Sequence, residues 1–433
     1  MARKMKDSGI EWIGEIPEGW EVHRIKNHFL IISGSGFKPE LQGQSTGDFP
    51  VCKASDISSS GHYLHTSANY ITTNFVKSQR FSIIPKGSIL FAKIGEAMRK
   101  NNRSLCLCDC CVDNNCQGLV PKKISSEFSY YLFTCIDMTW FDNAGTIPCI
   151  NNQKLYDCRF PFPSHDEQLL IANALNLQCT KINEILSHIR SSIEKYKKLK
   201  QAVITQAVTK GVRGEREMKD SKIDYIGQIP DEWVLCKLRN IGDAQNGISK
   251  SSDFFGKGAP FVSYSDVYKN YSLPFSVSGL VESTPAEQER YSVKEGDIFF
   301  TRTSETIEEV GYSCVCEKDI PHATFAGFLI RVRPFSDELY TPYAKYYFRS
   351  SHLRFYLVKE MNLVTRASLG QSLLKSMPVL LPSLEEQKEI ANYLDAKCAE
   401  IDGLIAKKEQ LIKELESYKK SLIYEVVTGK REV

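Results

Sequence analysis

Long apolar runs are missing from this 433-residue sequence. No stretch is apolar over enough residues to span a bilayer, so the pattern excludes a membrane-spanning helix. The opening segment MARKMKDSGIEW lacks the apolar core of a signal peptide. We therefore expect a protein that is not exported, acts in the cytoplasm and does not bind membranes.

The short motifs of common enzyme classes are also absent. Gly256-Lys257-Gly258 lacks the remaining residues of a phosphate-binding P-loop. There is no HExxH or GxSxG motif, and no Asn-Pro-Pro-aromatic signature of amino methylation. The sequence therefore predicts no catalytic residues and no cofactor of its own, although a nuclease or methyltransferase with unfamiliar motifs stays open as an alternative.

The sequence has no large excess of either charge: it contains 55 Lys and Arg and 52 Asp and Glu, which gives a net charge of +3. A DNA-binding protein of this balance must concentrate its basic groups on one face or act with a basic partner. The chain is long enough for more than one domain.

Cysteine is abundant, with 14 in the chain, and five cluster within one short segment. A zinc site is one interpretation, but the spacing lacks the paired CxxC knuckles of common zinc modules. No matching group occurs in the second half of the sequence. We predict a strand with buried thiols and no metal; the residues are Cys106, Cys108, Cys110, Cys111 and Cys116.

A long segment starting at Pro163 occurs twice, 219 residues apart. The offset matches Gln168 to Gln387 and Cys179 to Cys398 without a gap. Both copies open on Ser-x-x-Glu, the spacing of a helix capping box, and end near Gly211 and Gly429. The pattern predicts two helices of about 65 Å each.

Apolar residues recur every seven positions in both helices, which is typical of a coiled-coil seam. Lys408 stands where the first copy has Ile189, either setting the register or leaving an opening for a partner. A generic amphipathic helix packed on its own domain is the alternative. The first seam row is Leu175, Ile182, Ile189, Tyr196 and Val203, with Leu394, Ile401, Leu415 and Leu422; the second is Ile171, Ile185 and Leu199, with Ile390, Leu404, Leu411 and Tyr418.

A second repeat relates 5–27 to 218–240, at an offset of 213. It predicts short strands at Glu21–Lys26 and Val234–Arg239, with Trp20 and Trp233 as buried anchors. Looser repeats at an offset of 209 include Gln117-Gly118-Leu119-Val120 against Ala326-Gly327-Phe328-Leu329. The segments between the repeats do not match, which indicates one task performed on two different targets.

Domain, helix, domain, helix is therefore the predicted order. The fold class is α+β: two mixed α/β domains, joined and separated by two long antiparallel coiled-coil helices, with a pseudo-two-fold internal repeat. The predicted boundaries are 1–162 for the first domain, 163–211 for the first helix, 212–381 for the second domain and 382–433 for the second helix.

Each domain opens on an [ED]-[WY]-I-G-x-I-P-x-x-W segment, and each long helix opens on P-S-x-x-E-Q-x-x-I-A-x-x-L. In these motifs and in its duplication, essentially the whole chain resembles the DNA-specificity subunit of type I restriction-modification systems. The resemblance implies two target recognition domains that each recognise one half of a bipartite, asymmetric DNA site. It also implies that the helices act as a ruler for the spacer between the half-sites.

The partners of the chain are implied by the same resemblance. They are double-stranded DNA, two methyltransferase (modification) subunits docked on the helices, and restriction subunits that translocate DNA. S-adenosylmethionine, ATP and magnesium would belong to those subunits. We expect an intramolecular coiled coil and no homo-oligomer. A type II-like restriction-methylation enzyme's specificity subunit and a stand-alone coiled-coil scaffold remain as alternatives.

DNA contacts are sought among polar and basic residues in the segments that differ between the two halves, because Asn and Arg suit adenine and guanine edges. MRKNNR in the first half is expected to be an exposed loop, and the equivalent residues of the second half follow a predicted strand. The candidates are Lys93, Arg99, Lys100, Asn101, Asn102, Arg103, Asn151, Asn152, Thr301, Arg302, Thr303, Ser304, Arg366, Ser368 and Gln371.

Overall fold

The computed structural model describes residues 3–143, 145–304, 310–360 and 367–433. The chain forms two compact units, Met1–Ile189 with Gln410–Val433 and Arg190–Glu409. Two long helices, His165–Lys210 and Leu384–Val427, each contribute residues to both units. Mixed α/β units and two long helices are what the sequence predicts.

The first unit is built around a five-stranded sheet in the order β4-β11-β8-β9-β6. A three-stranded sheet, β10-β5-β7, and the pairs β1-β2 and β12-β3 complete its strands. These strands are β1 (Met5–Asp7), β2 (Glu15–Pro17), β3 (Glu21–Arg24), β4 (Phe29–Ser33), β5 (Phe49–Cys52), β6 (Tyr63–Leu64), β7 (Tyr70–Ile71), β8 (Ile89–Ala92), β9 (Arg103–Cys106), β10 (Cys111–Val112), β11 (Cys116–Pro121) and β12 (Arg159–Phe162).

The second unit repeats this arrangement with a four-stranded sheet, β16-β23-β19-β21, and a three-stranded sheet, β18-β17-β22. The pairs β13-β14 and β15-β25 match the two strand pairs of the first unit, and β20 pairs with β24. These strands are β13 (Met218–Asp220), β14 (Gln228–Pro230), β15 (Val234–Lys237), β16 (Gly242–Asn246), β17 (Phe255–Val262), β18 (Leu280–Val281), β19 (Ile298–Thr301), β20 (Thr303–Ser304), β21 (Ser313–Val315), β22 (Thr324–Phe325), β23 (Leu329–Pro334), β24 (Ala367–Ser368) and β25 (Pro378–Leu381).

Short helices cover the sheets and lie between the strands. In the first unit they are Ile25–His28, Ala54–Ser60, Thr73–Gln79, Gly95–Arg99, Ser126–Thr134 and Asn152–Asp157, with 3₁₀ turns at Pro39–Leu41 and Met138–Phe141. In the second unit they are Tyr264–Lys269, Pro285–Arg290, Thr341–Tyr347, Ser351–Glu360 and Gln371–Ser376, with 3₁₀ turns at Leu238–Asn240 and Ser252–Phe254.

The two tryptophans are buried anchors, as predicted, with 1% of each side chain exposed. Each indole N–H donates to a glutamate in the first turn of a long helix: Trp20 to Glu167 and Trp233 to Glu386, both over 3.0 Å. These glutamates were expected to complete capping boxes. Ser164 does accept the Glu167 amide N–H, but the Glu167 carboxylate bonds the tryptophan.

Burial along the long helices agrees with only part of the predicted rows: Ile171 and Ile390 of the second row are buried, but other members of that row are not. Ile185 and Leu199 are 47% and 48% exposed, whereas Cys179, Leu186 and Ile193 are buried. In the middle of the first helix, the buried residues beside the first row are therefore Cys179, Leu186 and Ile193 instead of Ile185 and Leu199. In the second helix the buried Cys398 takes the corresponding place, and the predicted seam residues Leu411 and Tyr418 are exposed. Lys408 lies with its ammonium 5.6 Å from the centre of the Tyr196 ring.

The cysteine-rich segment forms strands, as predicted. Cys106 ends β9, Cys111 starts β10 and Cys116 starts β11, and all three are buried. Burial raises the pKa of the Cys111 thiol to about 12. Among the described residues, no cluster of His, Cys, Asp or Glu has the arrangement needed to hold a metal ion.

Within the described part of the chain, none of the helices combines the length and the apolar character that crossing a bilayer requires.

Candidate nucleic-acid interface

Three separate segments meet at one end of the main sheet of the first unit. Beyond β8, the Lys93 amide donates to the Asn115 carbonyl over 2.8 Å. The Lys93 carbonyl accepts from the Ile150 amide over 2.9 Å, and Ile94 bridges to Cys149. The sequence candidates around Lys93 and Asn151 therefore lie together, although they are far apart in the chain.

The second unit has the same arrangement at the end of β19. The Arg302 amide donates to the Phe328 carbonyl over 2.9 Å, and its carbonyl accepts from the Leu369 amide over 2.7 Å. Thr303 pairs with Ser368. We call each meeting point a strand-end edge, defined by Lys93, Asn115 and Ile150 in the first unit and by Arg302, Phe328 and Leu369 in the second.

Glycines bring a further segment against each edge. The Gly34 amide donates to the Cys116 carbonyl, and the Gly247 amide to the Leu329 carbonyl. A Cβ on Gly34 would lie 1.9 Å from the Asp113 carbonyl oxygen, and one on Gly247 would lie 2.2 Å from the Ala326 carbonyl oxygen. No other residue type fits there without moving the backbone.

These hydrogen bonds correct the expected alignment of the two halves in this region. The offset of 209 placed Gly118 opposite Gly327. In the structure, equivalent bonds place Asn115 opposite Phe328 and Cys116 opposite Leu329, an offset of 213. A sequence match between two glycines is weak where the backbone pairing, rather than the side chain, sets the register.

Arg103 is not a surface residue, which contradicts its assignment to an exposed loop. It starts β9, is 5% exposed, and donates to the Ile136 carbonyl over 2.8 Å. Burial lowers the pKa of its guanidinium to about 10. Asn101 accepts from Arg103 and from the Met138 amide. Both side chains hold the local fold, so they are unsuited to DNA contact.

Met98 of the MRKNNR segment is buried, whereas Arg99, Lys100 and Asn102 are more accessible than Arg103. Met98 and Arg99 end a short helix, and Arg99 makes a 2.6 Å ion pair with Glu96 one turn earlier. Lys100 is exposed, and Asn102 donates to the Ser58 hydroxyl over 3.0 Å. Arg99 and Lys100 stay candidates for phosphate contact, since a helical ion pair at the surface is weak.

Asn151 and Asn152 both have structural partners at the first edge. The Asn151 side chain accepts from the Gln153 and Lys154 amides and so caps the helix Asn152–Asp157. Asn152 accepts from the Gln117 side chain over 3.1 Å. Their contribution to the edge is mainly to fix its backbone.

The candidates of the second unit also include both a buried residue and residues that are accessible. Thr301 is fully buried and its hydroxyl accepts from the Tyr312 amide, so it contradicts the expectation of a surface contact. Gln371 donates to Asn246 over 3.0 Å, Ser368 is exposed, and Arg302 and Thr303 are half-buried. Ser304 pairs through its backbone with Ala367. Arg366 lies outside the described residues.

Sequence reasoning missed the residues that the edges expose most openly. Asn114 and Asn115 are exposed in the first unit, and Phe328 is 64% exposed in the second. An apolar aromatic residue in a predicted strand gives no sign of exposure in the sequence. The sequence feature that could have indicated them is the difference between the two halves, because these residues differ at equivalent backbone positions.

Comparison with known proteins gives a consistent result over most of the chain. A family model described as "Type I restriction modification DNA specificity domain" matches residues 17–195 and 230–416. The EcoKI specificity subunit of Escherichia coli (strain K12) is 24% identical, with 90% of this chain and 84% of the relative covered. The MjaVIII specificity subunit of Methanocaldococcus jannaschii is 25% identical, with 96% and 93% covered.

Solved structures share the fold at lower identity. One belongs to a study titled as the structural basis of complex assembly and conformational transition of the type I R-M system. It has a TM-score of 0.70 at 17% identity and covers 96% of this chain and 99% of that one. The HsdS subunit from Thermoanaerobacter tengcongensis has a TM-score of 0.51 at 18% identity, with 96% and 98% covered.

Proposed function

Because this chain belongs to the type I restriction-modification DNA specificity family, we propose that each unit recognises one half of a bipartite, asymmetric DNA site. The observation that carries this proposal is the pair of strand-end edges. Both are built by the same backbone hydrogen bonds, but they expose Asn115 in one unit and Phe328 in the other. A common frame with different exposed side chains suits two modules that recognise different base pairs.

The cations at the edges have a separate role. Lys93 and Arg302 occupy equivalent places beyond β8 and β19, next to the residues that differ. Phosphate contacts position a protein on the duplex and carry little sequence information, so the same type of residue can serve both units. Base recognition then falls to the side chains that differ.

The long helices are proposed to form an antiparallel coiled coil that sets the spacer. Within the first unit, the Lys419 ammonium donates to the Asn183 side chain over 2.8 Å. Within the second unit, Lys200 pairs with Asp402 over 2.6 Å. The residue numbers of these contacts rise along the first helix and fall along the second, as expected for two antiparallel helices. The burial of Leu186 and Ile193, seven residues apart, supports a seam with heptad spacing.

Methyltransferase subunits are proposed to dock on the apolar residues that the seam leaves uncovered. Ile185 precedes the seam residue Leu186, and Leu411 precedes Ile412; Ile185 and Leu411 are 47% and 43% exposed. Exposed apolar side chains at such heptad positions are typical of a helix surface that binds further helices. Restriction subunits, and S-adenosylmethionine, ATP and magnesium on the partner subunits, complete the proposed assembly.

Methyl transfer and DNA retention test this proposal together. The purified chain should transfer no methyl group from S-adenosylmethionine to DNA, whereas the complex with its methyltransferase subunits should modify a bipartite sequence. Randomised duplexes retained by that complex are sequenced. Methyl transfer by the chain alone would identify it as an enzyme, and retention without any bipartite motif would contradict recognition by two units.

Docking is tested separately with two substitutions on one helix. Leu411→Glu should reduce the methyltransferase subunit that co-purifies with the chain, because a charge then replaces an apolar contact. Lys413→Glu, at an exposed position two residues further on and therefore on the opposite side of the same helix, is the matched control. Equal co-purification with both variants would contradict this docking surface.

A further inference from the structure

Two phenylalanines lie at opposite ends of β23 and are almost equally exposed. Phe328 precedes the strand and is 64% exposed, and Phe335 follows it and is 67% exposed. Phe328 lies at the strand-end edge, where its carbonyl accepts from Arg302. Phe335 donates its amide to the Ile241 carbonyl at the other end of the sheet.

The two ends of this strand have different surroundings. Beyond Phe335, the chain reaches Tyr340, whose amide donates to Gln387 in the first turn of the second long helix. The Phe335 end therefore leads to the helix. The Phe328 end gathers the segments that differ between the two units, including the strand with Ser368. The Phe328 end thus combines a variable surface with a neighbouring cation, Arg302.

In the first unit, the two ends of the corresponding strand, β11, differ in the same way. β11 begins next to Asn115 at the strand-end edge, and at its other end Lys122 donates its amide to the His28 carbonyl. Ser125, a little further on, donates to Gln168 in the first long helix. Asn115 and Phe328 are thus equivalent exposed positions, one an amide and the other a benzyl group.

We propose that these two positions are specificity determinants. Asn115 presents an amide to a base edge of the first half-site, where an amide can both donate and accept. Phe328 makes an apolar contact with a base of the second half-site, such as a thymine methyl group. This inference rests on the proposed DNA recognition, and it assigns each half-site a different chemistry.

Selection of randomised duplex DNA by the full chain, assembled with its methyltransferase subunits, tests the assignment. Wild type, Phe328→Ala, Phe328→Asn and Asn115→Ala are compared, and Phe335→Ala is the matched control. Phe328→Ala should reduce the preference for the best base at one position of the second half-site by about tenfold, the usual cost of losing one good base contact. Asn115→Ala should do the same in the first half-site only.

The control and the second variant separate base contact from general damage. Phe335→Ala should leave both half-sites unchanged, and Phe328→Asn should change the preferred base at the same position. Unchanged motifs for Phe328→Ala and Asn115→Ala, or equal weakening on all sequences, would overturn the inference. If the wild-type complex itself selected no bipartite motif, the proposed function would fail first, which distinguishes the two.

Discussion

His352 is a titratable side chain enclosed by the second unit. It is 4% exposed and packs edge-on against Tyr347, with ring centres 5.4 Å apart. Burial lowers the pKa of His352 from its ordinary 6.5 to about 3. The folded protein therefore keeps the ring neutral at pH values where the unfolded chain would protonate it.

The sign of the effect follows from proton binding. Between about pH 6.5 and 3 the unfolded state holds a proton that the folded state lacks, so the free energy of unfolding decreases as the pH falls. The slope is about 1.4 kcal/mol per pH unit. We expect His352→Phe to remove this contribution from the pH dependence of urea unfolding of the full chain.

The exposed His165 serves as the control. His165→Phe should keep the pH dependence of wild type, while His352→Phe should make it less steep between pH 6.5 and 4, where the carboxylates with lowered pKa values still contribute. Parallel curves for wild type and His352→Phe would show that the His352 ring is not held neutral in the folded state.

At the scale of elements, an arginine joins each long-helix start to the beginning of its domain. Arg216 pairs with Glu386 over 2.6 Å, and the Glu386 side chain is 1% exposed. Arg3 pairs with Glu167 over the same distance, but these side chains are 31% and 26% exposed. Each guanidinium also lies over the tryptophan, Trp233 or Trp20.

The same substitution should therefore have unequal effects. Arg216→Ala leaves a buried carboxylate without its ion-pair partner, which typically costs about 3–5 kcal/mol. Arg3→Ala breaks a partly exposed pair, worth about 1 kcal/mol or less. Thermal unfolding of the two variants measures the difference, and similar losses would show that burial does not decide the strength of these pairs.

The long helices show which features sequence could predict. The heptad spacing predicted two long helices and the burial of Leu175 and Ile182, and the Ser-x-x-Glu pattern predicted where the helices start. Ile185 was expected to be buried because two residues satisfy the alternation of three and four: Ile185 lies three after Ile182, and Cys179 three before it. Ile185 is the more apolar of the two, but Cys179 is the one that is buried, in the apolar core of the first unit that also contains Tyr131.

The candidate site shows the limit more clearly. Arg302 was predicted to follow a strand, since apolar runs bounded by Gly indicate strands. Arg103 was misplaced because a buried arginine that bonds carbonyls has no signature distinguishing it from a surface arginine. Phe328 was missed because its exposure depends on non-local pairing with Arg302.

For the whole molecule, the sheet pairings indicate where a domain can be exchanged. An exchange of 37–125 with another specificity subunit would separate β4 from its native partner β11. An exchange of 25–158 moves β4 and β11 together. It begins directly after β3 and ends directly before β12, so this native strand pair also stays intact. We expect the longer exchange to transfer one complete half-site and to unfold at a higher temperature than the shorter one.

DNA selected by each chimera provides the measurement. The longer exchange should change the first half-site and leave the second half-site as in wild type. A change in both half-sites would contradict independent recognition by the two units, and a less stable longer chimera would contradict the importance of the β4–β11 pairing.

The proposed spacer function of the helices can be tested by changing their length without disturbing the seam. Seven residues inserted after Ile189, together with seven after Ile412, preserve the heptad spacing in both helices. They lengthen each helix by about 10 Å, or roughly three base pairs of B-DNA. Selection from randomised duplexes should then give unchanged half-sites with a longer spacer, or no retained DNA if the half-sites can no longer be reached together. A single insertion of four residues after Ile189 shifts the seam of one helix only and should reduce stability. Retention of the wild-type spacer by the double-insertion variant would show that the helices do not set it.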